Sequence, residues 1–176
     1  MEWRIVLGHG ASGNAASMAP WVDGFGRNWL AARAIDLPRR RAEEAVPAFL
    51  AAVDGVPDVV LGGHSFGGRV ASLAAARLVA EGRPVAGLLL LSYPLHRPGH
   101  PEAWRERTAH WPALTCPVLL LSGESDPFAR LPLLREAAGR LPNGRLVTWP
   151  RVGHGLGPVL DEAVSAAAAF VRSLHR

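Results

Sequence analysis

Val59-Val60-Leu61-Gly62-Gly63-His64-Ser65-Phe66-Gly67-Gly68-Arg69-Val70-Ala71-Ser72-Leu73-Ala74 is the stretch that decides the fold. Its first four residues are an apolar run bounded by glycine, the signature of a strand buried on both faces. Its last residues carry a helical pattern rich in alanine and leucine. Between them stands a serine in a G-x-S-x-G frame, Gly63 to Gly67. A strand that breaks sharply into a helix at a serine holds that serine in a strained, outward-facing position. The flanking glycines leave room for neighbouring backbone, and the start of the helix aims N–H groups and a positive dipole end at the serine oxygen.

Outward from this turn the same alternation repeats. Strand-like runs fall at 3–7, 29–35, 59–62, 88–92, 118–122 and 145–149, and helical patterns at 15–28, 42–53, 65–81, 131–141 and 158–174. Leu88 to Leu91 and Val118 to Leu121 show no polar alternation. Such strands belong to parallel sheets covered on both sides, so the expected class is α/β, with about six mostly parallel strands and helices on both faces. A length of 176 residues without linker or repeat suits one domain, 1–176. The longest irregular connection runs from Tyr93 to Thr115 and carries Pro94, Pro98, Pro101 and Pro112, with a short helix expected near 102–110. Loops of that length are commonly functional, and a short lid is the expectation.

Composition narrows the function. All 19 basic residues are arginine, against 15 acidic ones, a net charge of +4. The arginines are scattered. The one run, Arg39-Arg40-Arg41, is followed at once by Glu43 and Glu44 and reads as a solvated helix start. No aromatic platforms interleave with the arginines, so nucleic acid is not an expected partner. No apolar stretch is long enough to span a bilayer, and Met1-Glu2-Trp3-Arg4 leads straight into a strand-like run. A single cysteine excludes an internal disulfide and multi-cysteine metal sites. A cytoplasmic protein without membrane contact, cofactor or metal is the expectation; the oligomeric state is left open.

A serine hydroxyl is a weak nucleophile until a base takes its proton. His154, in Val152-Gly153-His154-Gly155 after the last strand, is the candidate base. Asp126, in Gly123-Glu124-Ser125-Asp126-Pro127 after the fifth, is the candidate acid that orients it. All three groups then lie at C-terminal strand ends, where open α/β sheets place their sites. The oxyanion would be held by the N–H of Phe66 and, from Gly8-His9-Gly10-Ala11-Ser12-Gly13, the N–H of Ala11. Each residue also has a plainer reading. Ser65 suits a helix cap, Asp126 a cap before Pro127, and His154 an ordinary loop. Glu124 is the rival acid. His9 and His64 read as local structural residues and Cys116 as buried and inert. His96, His100 and His110 lack metal-ligand spacing and read as part of a solvated lid.

With serine, acid and base in that chain order, the sequence resembles the α/β-hydrolase superfamily over essentially its full length. Within it the chain is most similar to the small dienelactone-hydrolase-like branch that includes testis-expressed hydrolase-like proteins and a subunit of a nuclear histone-acetyltransferase complex. His9-Gly10-Ala11, Gly67-Gly68-Arg69-Val70-Ala71-Ser72, and Tyr93-Pro94-Leu95-His96-Arg97-Pro98-Gly99 with Pro101-Glu102 carry the likeness. The resemblance implies a parallel sheet with the nucleophile at its centre, lacking the first two of the family's usual eight strands. Dienelactone hydrolases proper use a cysteine where this chain has Ser65, so their substrate does not carry over. The expected function is a serine hydrolase cleaving a small-molecule ester or related acyl bond through an acyl-enzyme. A catalytically silent interaction module with the same fold stays open as the alternative.

Overall fold

The computed structural model describes residues 5–174. Trp3 and Arg4, the start of the first expected strand, lie outside the described residues. Six strands form one sheet in the order β2-β1-β3-β4-β5-β6, every neighbouring pair parallel. They are β1 (Ile5–Gly8), β2 (Ala32–Ile35), β3 (Val60–His64), β4 (Gly87–Leu91), β5 (Val118–Gly123) and β6 (Gly144–Trp149). The helices are α1 (Ala19–Arg27), α2 (Ala42–Val53), α3 (Phe66–Ala80), α4 (Trp104–Arg107), α5 (Leu131–Ala138) and α6 (Leu160–Ser173).

The all-leucine strands explain the layering. Successive side chains of a strand point to opposite faces. Leu88 and Leu90 join Val118 and Leu120 in one core with α2, α3 and α5; Leu89 and Leu91 join Leu119 and Leu121 in the other with α1 and α6. Both halves of each leucine run are therefore buried, and polar alternation has no place there.

Three expected boundaries shift for local reasons. The strand expected over 29–35 starts only at Ala32, because Trp29 turns the chain at φ 60° and stands 94% exposed. The helix expected over 15–28 divides into a 3-10 turn at Ala15–Met18, capped by Asn14, and α1, whose first turn takes Pro20. Proline fits there because the first-turn N–H groups have no helical acceptor. The helix expected over 131–141 ends at Ala138, followed by Gly139.

The stretch 93–115 is the largest correction. A solvated lid was expected, but Tyr93, Leu95, His96, Trp104, Thr108, Trp111 and Leu114 are all buried. The segment packs as an additional wall on the α3 side of the sheet, leaving exposed its outer turn, Arg97 to His100, and the outward-facing Glu102, Arg105, Glu106, Ala109, Pro112, Ala113 and Thr115.

The strand order changes direction between β1 and β3, so the loops that leave these neighbours diverge and open a crevice at their C-terminal ends. Ser65 follows β3 and the Gly8–Gly13 loop follows β1, which places both beside that crevice. The crossing is tight. A Cβ on Gly67 would stand 2.2 Å from the Gly8 carbonyl, and one on Gly63 would stand 2.6 Å from it. Gly67→Ala should therefore lose about 3 kcal/mol or more of stability, at the upper end for overpacked sites, because backbone rather than a flexible side chain must yield. Urea denaturation reads this directly; a loss below about 1 kcal/mol would mean that β1 and α3 can part.

Candidate active site

Ser65 sits at φ 50°, ψ −113°, a left-handed conformation unusual for a residue with a Cβ. Its hydroxyl makes no cap bond to α3, so the helix-cap reading does not describe it. The Oγ lies 2.8 Å from His154 Nε2, and His154 Nδ1 lies 2.8 Å from Asp126 Oδ2 and 3.0 Å from Oδ1. An ionised carboxylate only accepts, so Nδ1 carries the proton and Nε2 is free to receive one from Ser65. The Asp126 side chain is fully buried and also accepts from the Phe128 N–H at 2.8 Å.

The loops that bear Asp126 and His154 meet because β5 ends in glycine. A Cβ on Gly123 would stand 2.1 Å from the Val152 carbonyl, and Ser125 N–H donates to that same carbonyl at 2.9 Å. Glu124, the rival acid, faces elsewhere: its Oε1 accepts from the Thr148 hydroxyl at 2.8 Å. Phe66 opens α3, so its N–H has no acceptor one turn earlier. The Ala11 N–H also has no acceptor among the described residues. Both residues, with Ser65, line the same cavity of about 930 Å³.

Several positions gained meaning only in three dimensions. His64 does not bond locally: it donates from Nε2 to the carbonyl of His154 at 3.1 Å, 90 residues away, and so ties the loop of His154 to the end of β3 that leads into Ser65. Phe128 lies against the His154 ring, with centroids 4.3 Å apart, which limits the ring's tilt. His96 belongs to no solvated lid. It is buried, donates from Nδ1 to the Arg97 carbonyl and accepts at Nε2 from the Arg130 N–H, clipping the 93–100 segment to the loop that follows Asp126. His9 is buried, its Nε2 accepting from the Leu37 N–H at 3.0 Å, which fixes the loop that bears Ala11. The sequence signal for His96 was its place in Tyr93-Pro94-Leu95-His96-Arg97-Pro98-Gly99, the most distinctive segment of the family likeness. Phe128 and His64 carried none beyond adjacency to Asp126 and Ser65. Cys116 is buried, and that burial pushes its thiol up to about 11. No cluster of His, Cys, Asp or Glu among the described residues could hold a metal ion. No helix among them is long and apolar enough to cross a membrane.

His110 forms a second, separate pair: its Nε2 donates to Ser72 Oγ at 2.8 Å, and Ser72 donates to the Arg69 carbonyl. Burial, reinforced by the Arg69 charge, pushes His110 down to about 4. Burial also lowers His64. Unfolded histidine titrates near 6.5, so the fold favours the neutral rings. The resulting stability is complete above about pH 6.5 and is lost as pH falls toward the lowered values. The urea midpoint should therefore fall between neutral pH and about pH 4.5, and fall less in His110→Gln. Equal acid sensitivity in the variant would assign the loss to other groups.

Comparison with known proteins agrees with this architecture. The structure of a monoacylglycerol lipase from Paleococcus ferrophilus superposes with a TM-score of 0.81 at 14% identity, over 97% of this chain and 94% of that one. Est1E from Butyrivibrio proteoclasticus, solved with ferulic acid bound, gives 0.81 at 19% identity over 98% and 89%. A metagenome-derived lipolytic enzyme from the work on LipS and LipT gives 0.78 at 15% identity over 98% and 94%. At such identities the likeness speaks for the fold. The family profile for the alpha/beta hydrolase domain matches residues 31–172, and the chain belongs to that family.

Proposed function

We propose that the protein is a serine hydrolase, of carboxylesterase type, that cleaves a small ester or related acyl bond through an acyl-enzyme. The observation that carries this reading is the unbroken relay from Ser65 Oγ through His154 to the buried Asp126, each link at 2.8 Å. Ser65 Oγ attacks the acyl carbon while its proton passes to His154 Nε2. The negative oxygen is held by the Phe66 and Ala11 amides. His154, its positive charge supported by Asp126, gives the proton to the leaving group as the bond to it breaks. Water then attacks the acyl-enzyme by the same route and frees Ser65. No cofactor enters these steps. The lipolytic and esterase neighbours support the same class, and we place the chain nearest the dienelactone-hydrolase-like branch of its family.

Short acyl groups suit this site. The 93–115 segment is a packed wall rather than an enclosing cap, and Tyr93, Trp104 and Trp111 are spent on the core rather than on either cavity. Each methylene taken out of water is worth about 0.8 kcal/mol, so selectivity for length stops where the chain leaves the protein. Esters of about C2 to C6 should be preferred. The test is kcat/KM from acetate to palmitate. A steady rise to the longest chain, below its micelle threshold, would overturn the small-ester reading and mark a lipase-like groove.

A further inference from the structure

Two cavities meet at Ser65, and their chemistry differs. Both are lined by Ala11, Ser65 and Phe128. The first, of about 930 Å³, is lined by five arginines: Arg40, Arg41, Arg69, Arg97 and Arg107. The second, of about 570 Å³, is apolar, with Met18, Pro20, Trp21, Leu156 and Leu160 in its wall.

The arginines exceed their counter-charges. Glu43, Glu102 and Glu106 line the same cavity. Glu43 is taken by Arg69 at 2.8 Å, and Glu102 lies against His100 at 3.3 Å. Among the described residues no carboxylate stands within ion-pair distance of Arg40, Arg41, Arg97 or Arg107. Arg69 follows Ser65 by one helical turn, and its Nε is buried without an acceptor. Burial and the charges of Arg69 and Arg97 pull the Arg107 guanidinium below its ordinary value. Arg107 Nη1 donates to the Pro94 carbonyl at 2.9 Å and Arg69 Nη2 to Glu43, and a cluster of guanidinium groups held against mutual repulsion, with its remaining donors unspent, is matched by an anion that accepts in their planar forks.

His154 decides which half of the substrate goes where. It lines the apolar cavity and not the arginine one. The leaving group must depart where His154 can protonate it, so the acyl group occupies the arginine side. We propose that the preferred acyl group ends in an anion, a carboxylate or a phosphonate, held by Arg69, Arg97 and Arg107, while an apolar alcohol leaves past Trp21 and Leu156. This rests on Ser65 being the nucleophile.

The experiment compares para-nitrophenyl hemiadipate with para-nitrophenyl hexanoate, which match in length and differ in terminal charge. The hemiadipate should lead in kcat/KM by about tenfold at low salt, and the lead should shrink as salt rises. In Arg97→Gln and Arg40→Gln, whose side chains are exposed and whose loss spares the core, the ratio should fall severalfold; in Arg69→Gln it should approach one. A phosphonate-ended ester of equal length tells which anion is preferred, and a lead over hexanoate by either supports the site. Parity or a lead for hexanoate at low salt overturns it. Binding to the Ser65→Ala protein, by calorimetry, reads the same site without turnover: monomethyl adipate should bind and dimethyl adipate should not. Equal binding of the two overturns the anion site. Failure of Ser65 to react with a fluorophosphonate, with monomethyl adipate still bound selectively, overturns the nucleophile and leaves the anion site standing.

Discussion

Ser65→Ala should abolish ester turnover, with a loss on the order of 10⁶ in kcat, the scale found when the nucleophile of a working triad is removed. Alanine keeps the Cβ that already sits in the left-handed conformation at φ 50°, so the elbow and its glycine contacts are unchanged and the variant should melt with the parent. A fluorophosphonate should add once to the parent chain, at Ser65, and not to the variant; intact-mass analysis reads both. The expectation follows from the short Ser65–His154 contact, which gives the hydroxyl proton a destination. Absence of any adduct on folded parent protein would make the elbow silent and favour an interaction module built on the same fold.

Asp126→Asn should cost on the order of 10⁴ in kcat while leaving the shape of the site intact. Asp126 Oδ1 already accepts from the Phe128 N–H, and both oxygens face His154 Nδ1. An amide in that place either turns its NH₂ to His154, forcing the proton to Nε2 where it blocks transfer from Ser65, or turns it against the Phe128 amide. Glu124→Gln should be far milder, because the Thr148 hydroxyl can donate to an amide oxygen as it does to the carboxylate. Steady-state kinetics on one short-chain ester orders the two variants. A larger loss at Glu124 would unseat Asp126 as the acid.

The parallel sheet was legible because its cause is local. A strand buried on both faces has no polar side, and Leu88 to Leu91 and Val118 to Leu121 say so residue by residue. The elbow was legible for the same reason: glycines that permit a backbone crossing must flank the serine in sequence, and the 2.2 Å that a Gly67 Cβ would leave to Gly8 shows why nothing larger stands there. How the stretch 93–115 packs was not legible in the sequence. Its prolines mark an irregular path whether that path is solvated or buried, and burial of Tyr93, Trp104 and Trp111 is decided by the α3 side of the sheet, not by neighbours in the chain.

The amino-acid sequence by itself determined the strand–helix alternation, the strained serine and the loops that bear His154 and Asp126, since each depends on residues a few positions apart. Only the tertiary structure decided what those loops touch. His64 reaches the His154 carbonyl, His96 clips the loop that follows Asp126, and arginines from before α2, from α3 and from the 93–115 wall converge on one side of Ser65. In one dimension those arginines are scattered, and a run such as Arg39-Arg40-Arg41 looks merely solvated. Their charges add only when the fold brings them within a Debye length of a common point, about 10 Å at ordinary salt, and that distance is set by the crossing of strands and helices rather than by spacing along the chain.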